Sequence, residues 1–318
     1  MNYVKESVAG LTKAKERRHV VAGIGEVLWD LLPFGPPEIG GAPANFVYHM
    51  AILGAESHLF SAVGNDTLGH DLVLLLESKG LNAGHIVFAS APTGTVSVAI
   101  DPKGKPRYHI TDNVAWDMIP CGEQAEFQAG MLDAVCFGTL AQRSERSRAS
   151  IRRILGLTKP DCIKVLDINL REGYFHRELL ESSLELSTIL KLSDEELPVV
   201  CRLLGSPVDE TAALDFLIRN FNLRAVALTK GAMGCRIVMR GEDISVPGIR
   251  IDKIIDTVGA GDSFTAMLTM GLLGNWPTRL IAERANRLAA FVCSRHGGMP
   301  AVPKSSLASI MHEFDSAL

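Results

Sequence analysis

The chain lacks an excess of charge of either sign: 32 Lys and Arg stand against 36 Asp and Glu, a formal charge of -4. A protein that binds nucleic acid by neutralising phosphates needs a basic surface, and these totals do not provide one. Paired cysteines are also missing. Cys121, Cys136, Cys162, Cys201, Cys235 and Cys293 are scattered, without a C-x-x-C, and several lie in apolar runs such as Ala134-Val-Cys-Phe137. They read as reduced, buried thiols in a reducing, cytoplasmic setting rather than a disulfide framework. No apolar run is long enough to cross a bilayer, so no membrane partner is expected. The histidines form no H-x-x-x-H cluster, which leaves no transition-metal signature.

Two nucleotide signatures are absent as well. Gly23-Ile-Gly25 lacks the third glycine of the dinucleotide fingerprint, and no G-x-x-x-x-G-K-[ST] loop occurs. A Rossmann dehydrogenase and a P-loop enzyme are both disfavoured.

What is present is ordinary globular composition, 47% hydrophobic and 21% charged over 318 residues, with ample material for a core. Residues 1–18 are polar and of mixed charge, and read as a frayed tail without a secretory core. From His19 onward, strand-like and helix-like segments alternate. Strands are expected at His19–Leu28, Leu59–Val63, Ala134–Gly138, Ile163–Ile168, Thr188–Leu192 and Ala225–Thr229, and helices at Ala44–Leu53, Asp66–Lys79, Ser147–Leu157, Asp194–Leu204 and Asp209–Asn220. That rhythm implies βαβ units and a mostly parallel sheet covered on both faces. Thr95–Ile100 and Arg107–Thr111 break it. They alternate around a turn-rich Asp101-Pro-Lys-Gly-Lys-Pro106 and read as a β flap on one domain spanning 19–318. Cys235–Met239 and Ile244–Val246 read as a second hairpin.

Three segments carry chemistry. In Asp256-Thr-Val-Gly-Ala-Gly-Asp-Ser-Phe264, Gly259 and Gly261 allow close backbone approach, and the helix that follows turns free N–H groups outward. This suits an anion, or negative charge that develops during reaction. Asp262 stands where a carboxylate could take a proton from an attacking hydroxyl; the plain alternative is that Asp262 and Ser263 cap the helix. Gly40-Gly-Ala-Pro-Ala-Asn-Phe46 places Pro43 in a first helical turn, and Asn45 can both donate and accept, as recognition of a polyol requires. Gly25-Glu-Val-Leu-Trp-Asp30 sets a carboxylate just past the first strand, where ligands bind in open α/β sheets.

In this order, the segments resemble the ribokinase family of sugar kinases, over essentially the whole chain from residue 19. The resemblance implies a mostly parallel sheet flanked by helices with a small β-sheet lid at about 93–112. It implies ATP and Mg2+ as cofactors, with K+ as a further cation. Asp262 would be the catalytic base, and Gly259, Ala260 and Gly261 the anion hole. Asp30, Gly41, Asn45, Asn169 and Arg171 would hold the sugar. Thr229, Gly231, Asn286 and Ser193 would lie beside the nucleotide, Glu196 would order magnesium through water, and Asp256 would hold the monovalent cation. One departure stands out: Ser193-Asp-Glu-Glu196 has serine where the family usually has asparagine. Glu26-Val-Leu-Trp-Asp-Leu-Leu-Pro33 and Asn113-Val-Ala-Trp-Asp117 look most like the fructokinase branch, which implies D-fructose as substrate. Ribose, another ketose or a sugar acid remains open, as does a non-catalytic sugar-binding protein. Exposed flap strands further imply a homodimer.

Overall fold

The computed structural model describes residues 17–31, 35–100, 106–171 and 173–312. The expected tail, apart from residues 17 and 18, and the flap tip at 101–105 lie outside them. In chain order the strands are β1 (Val20–Ile24), β2 (Leu28–Leu31), β3 (Glu38–Gly40), β4 (Glu56–Gly64), β5 (Ile86–Ala89), β6 (Thr95–Ile100), β7 (Pro106–Ile110), β8 (Ala134–Phe137), β9 (Ile163–Asp167), β10 (Ile189–Ser193), β11 (Ala225–Thr229), β12 (Cys235–Met239) and β13 (Glu242–Val246). The helices are α1 (Ala42–Ile52), α2 (Thr67–Ser78), α3 (Glu123–Ala129), α4 (Glu145–Leu157), α5 (Arg177–Leu186), α6 (Leu197–Leu204), α7 (Glu210–Asn220), α8 (Ala260–Leu273), α9 (Thr278–Cys293) and α10 (Lys304–Met311).

Nine strands form one sheet in the order β13-β12-β11-β10-β9-β8-β1-β4-β5, parallel except for the hairpin β12–β13 at one edge. Its strands are apolar on both faces, as burial between two helical layers demands. One apolar cluster joins α1, α8 and α9 to the sheet, and another joins α4 to α7 to the opposite face. After β1 the chain first builds outward to β4 and β5, then returns to place β8 on the other side of β1. The sheet therefore has a switch point at β1 and β8, and the crevice beyond the carboxyl ends of such strands is where ligands bind.

The single strand expected at His19–Leu28 is instead two. β1 ends at Ile24, and Gly25-Glu-Val27 carries the chain out of the main sheet into β2. Gly25 has φ 148, and a side chain there would come within 2.8 Å of Pro43 Cγ, so the exit turn needs glycine. A second sheet of order β3-β2-β6-β7 results. The lid is thus larger than the expected flap, because β2 and β3 join it. Asp30 sits on a lid strand rather than in a loop. The helix expected from Asp194 begins only at Leu197. Ser193 and Glu196 instead close a tight turn: Ser193 Oγ accepts from the Glu196 amide at 3.2 Å, and the Glu196 carboxylate accepts from the Ser193 amide at 2.7 Å.

One root of the lid is fixed by Asp66, the N-cap of α2. Its carboxylate accepts hydrogen bonds from the Gly69 amide (2.8 Å), the Thr93 amide (2.9 Å) and the Thr93 hydroxyl (2.6 Å). Burial resists the charge on Asp66, but the bonds from Thr93 and Gly69 outweigh it and hold the carboxyl below its ordinary value. Such a group stabilises the fold above its unfolded pKa of 3.8, and that contribution fades as the pH falls through the lower folded value. Asp66→Ala is expected to cost about 1–2 kcal/mol at pH 7, as loss of a cap does. Urea unfolding should show the deficit shrinking below about pH 4.

Candidate active site

A cleft of about 1260 Å³ opens between the lid and the carboxyl ends of the parallel strands. It exceeds the roughly 300–1,000 Å³ of a pocket for one small ligand. Glu26, Asp30, Gly41, Asn45, Asn169, Arg171, Asp256, Gly259, Gly261 and Asp262 all line it, so most of the residues singled out from the sequence meet there. Ser193, Glu196, Thr229, Gly231, Ala260 and Asn286 do not line it. Asn286 is buried and donates to the Pro247 carbonyl at 3.1 Å. Thr229 Oγ1 lies 3.3 Å from the Leu192 carbonyl, and Ser193 and Thr229 pair in register at the ends of β10 and β11.

The centre is where the first turns of α1 and α8 meet. Both helices are buried along most of their length and pack on each other, which is why neither shows an amphipathic pattern. Gly41 caps α1 at φ 112; a side chain there would strike the Glu26 carbonyl at 2.4 Å. Four residues into this arrangement Asn45 donates through Nδ2 to Asp262 Oδ2 at 2.7 Å. Gly259 caps α8 at φ 76, pressed against Gly298. The Ser263 amide bonds back to the Gly259 carbonyl at 2.9 Å. The amides of Gly261 and Asp262 have no acceptor among the described residues, as a helix start dictates. They form a concave donor site beside the Asp262 carboxylate.

The strap at 297–300 underlies this arrangement. Tyr48 Oη donates to the Pro300 carbonyl (2.8 Å), Lys79 Nζ to the Met299 carbonyl (3.1 Å) and His49 Nε2 to the Gly298 carbonyl (2.9 Å). A carbonyl only accepts, so His49 carries its hydrogen on Nε2, and burial pushes its pKa to about 4. Asp256 ties the strap to the loop before Gly259, accepting from the Val258 amide (3.0 Å) and the Gly297 amide (3.1 Å).

Three carboxyls in the cleft are held above their ordinary range. Burial raises Asp262 to about 6, reinforced by the charge of Asp167 and opposed by the Asn45 hydrogen bond, Lys191 and Arg171. Burial raises Asp30 to about 6, with Arg171 pulling it down and Glu38, its cross-strand partner in the lid, pushing it up. Burial raises Glu26 to about 7, and its Oε2 has no hydrogen-bond partner among the described residues.

Three features escaped the sequence reading. Glu26 lay inside the Gly25–Asp30 segment but was given no role. Lys191 lines the cleft and donates to Asp167 Oδ1 at 3.0 Å, while Thr265 Oγ1 donates to Asp167 Oδ2 at 2.7 Å. A lysine inside the apolar strand Ile189-Leu-Lys-Leu, with an aspartate ending the neighbouring Val165-Leu-Asp, was the available signal, since unpaired charge is not buried in a parallel sheet. Glu196 is also more committed than expected: its carboxylate accepts from the amides of both Leu170 and Ser193 at 2.7 Å, bracing two loops at the strand ends.

Comparison with known proteins agrees with this fold. The pattern described as pfkB family carbohydrate kinase matches residues 38–305. The fructokinase of Klebsiella pneumoniae is 28% identical over 298 residues, covering 88% of this chain and 95% of that protein. The crystal structure of an uncharacterized sugar kinase from Pyrococcus horikoshii has a TM-score of 0.80 at 26% identity, covering 91% of this chain and 97% of the other. The same archaeal protein is known in complex with ATP, with a TM-score of 0.78 at 25% identity and the same coverage. The matched pattern defines a class of carbohydrate kinases. The chain belongs to the pfkB family of that class.

A carboxyl whose folded pKa lies above its unfolded 3.8 favours the fold while protonated, and that advantage is lost as the pH rises through about 6. Asp262→Asn is therefore expected to be more stable than the parent at pH 8 by on the order of 2 kcal/mol. Paired urea titrations at pH 8 and pH 5 should show the gap narrowing on acidification.

Proposed function

We propose that this chain is an ATP-dependent fructokinase that transfers a phosphoryl group to the 6-hydroxyl of D-fructose. The observation that carries the reading is Asp262, a carboxylate fixed by Asn45 beside two free amides in a deep cleft. The attacking hydroxyl gives its proton to Asp262 as its oxygen bonds to phosphorus, and ADP leaves with the other bonding pair. The amides of Gly261 and Asp262 face the charge that develops. Phosphoryl transfer asks mainly for positioning and neutralisation, and these parts supply both. The lid limits water and hence wasteful hydrolysis.

Asp30, Asn45, Asn169 and Arg171 line the cleft as sugar-holding groups, Asn169 at φ 40 in a conformation asparagine tolerates. The carboxyl-rich lining favours a neutral polyol over an acid. Kinship with fructokinases of Klebsiella pneumoniae and Escherichia coli supports the ketose. A sugar acid is the second reading, favoured by Arg171, whose guanidinium suits a carboxylate.

The nucleotide would lie along the ends of β10 and β11, past Ser193, Thr229 and Gly231 and toward Asn286. Among the described residues no three His, Cys, Asp or Glu side chains cluster into a metal cage. That fits magnesium, which keeps its waters and binds through phosphates. Glu196, still with lone pairs to spare, would order those waters, and the bound ion would neutralise phosphate charge. A monovalent cation such as K+ would lie by Asp256, whose bonds to Val258 and Gly297 set the loop around it.

ADP release should be followed with ATP, Mg2+ and K+ over fructose, ribose, glucose, mannose and 2-keto-3-deoxygluconate. Turnover on fructose, falling about 10²–10⁴-fold in Asp262→Asn and declining below about pH 6 as the base protonates, is expected. Turnover on the sugar acid alone would install the second reading, and sugar binding without turnover would make the chain a binding protein.

We further propose a homodimer paired through the lid, whose outer strands β3 and β7 each leave an edge open among the described residues. Light scattering at micromolar concentration should give twice the chain mass; a monomer would refute the pairing.

A further inference from the structure

Lys191 is unexplained by stability. It stands on β10 directly opposite Asp167 on β9, two opposite charges in register on central strands and almost wholly buried. Taking such a pair out of water costs about as much as its attraction returns, and an apolar pair would serve the core as well. The pair therefore needs another use.

Its surroundings indicate one. Of three N–H donors on Nζ, one is taken, by Asp167 Oδ1 at 3.0 Å. The second carboxylate oxygen is occupied by the Thr265 hydroxyl, so Asp167 is gripped from both sides and fixes the lysine in place. Beyond Asp167 the ammonium reaches the first turn of α8. A Cβ built on Gly261 would come within 2.9 Å of Nζ, so the ammonium closely approaches that residue. Nζ therefore stands beside the first turn of α8, which carries the free amides, in the cleft that Asp262 also lines. Lys191 and Ser193 are two residues apart on one strand and point to the same face. The Ser193 hydroxyl is turned back onto the Glu196 amide. The buried ammonium lies on that same face.

We propose that Lys191 is a further catalytic residue whose ammonium completes the anion hole and contacts the phosphoryl group in transfer. Asp167 and Thr265 are positioning residues that aim it. The inference rests on the kinase reading. In it the transferred group keeps its charge on three equatorial oxygens, two amides offer partial charges, and Lys191 adds a full one.

Lys191→Met alone would strand the Asp167 charge and could unfold the chain, so the informative variant is Lys191→Met with Asp167→Asn. It removes both charges and keeps an acceptor for Thr265. Expected is a kcat about 10²–10³-fold lower, as when an oxyanion-hole donor is lost, with the KM for fructose within about threefold, since uniform sugar binding is untouched. Calorimetric titration with the Mg2+ complexes of ADP and of the β,γ-imido analogue of ATP gives a readout independent of turnover. The variant should lose about tenfold or more in affinity for the analogue relative to ADP, the worth of a charge-assisted hydrogen bond. If the neutral pair restores kcat and leaves the affinity ratio unchanged, Lys191 is only a core ion pair and the proposal falls. If the parent protein turns over no sugar, the kinase reading falls instead, and the affinity ratio alone decides for or against Lys191.

Discussion

Asp262 must carry charge to accept a proton, yet packing at the floor of the cleft strips it of much of the water that would stabilise that charge. This constraint organises the molecule. Burial raises the carboxyl to about 6, so the ionised form at neutral pH depends on what stands around it. Asn45 reaches it from α1, the amides of α8 open beside it, and Lys191 and Arg171 supply the nearest positive charge. None of these groups can be aligned unless α1 and α8 are locked together. Their unbroken burial, with Phe46 and Phe264 at 1% and 2% exposure, provides that lock.

The sheet decides where this happens. Because β1 has β4 on one side and β8 on the other, the ends of β1, β8, β9 and β10 surround a crevice rather than a covered edge. Glu26 leaves the end of β1, Asn169 and Arg171 follow β9, and Lys191 approaches the end of β10. Side chains distant in sequence thus converge because parallel strands all present the same end. The like charges of Asp30 and Glu38 facing each other across the lid ladder, and the Glu26 Oε2 left without a partner among the described residues, are local costs that a purely structural protein would have no reason to keep.

Much of this was legible in the residues themselves. The alternation of strands and helices gave the parallel sheet, because fully buried strands and helix caps such as Asp66 and Asp209 leave compact local marks. Gly259 to Asp262 could be read because close backbone approach demands glycine. The division of His19–Leu28 could not be read, because Val27 and Leu28 continue an apolar run and only the positive φ of Gly25 turns the chain into the lid. Nor could the late start of α6, where the mutual bonds of Ser193 and Glu196 override helical composition. Lys191 was missed because its meaning lies in Asp167, which is adjacent only once the strands are in register.

Of the four chain connections between the lid and the body, two are visibly stiff. At one, Gly25 is held by the Phe60 carbonyl and the Ser61 hydroxyl, and Glu26 and Val27 are buried. At the other, Thr93 is bound three ways by Asp66 and Gly64. At these two connections the roof has no free pivot. Its movement toward or away from the cleft is a flexing of the strands themselves, with a stiffness set by their ladders, and every such flexion pulls on the backbone of Glu26 in the floor below.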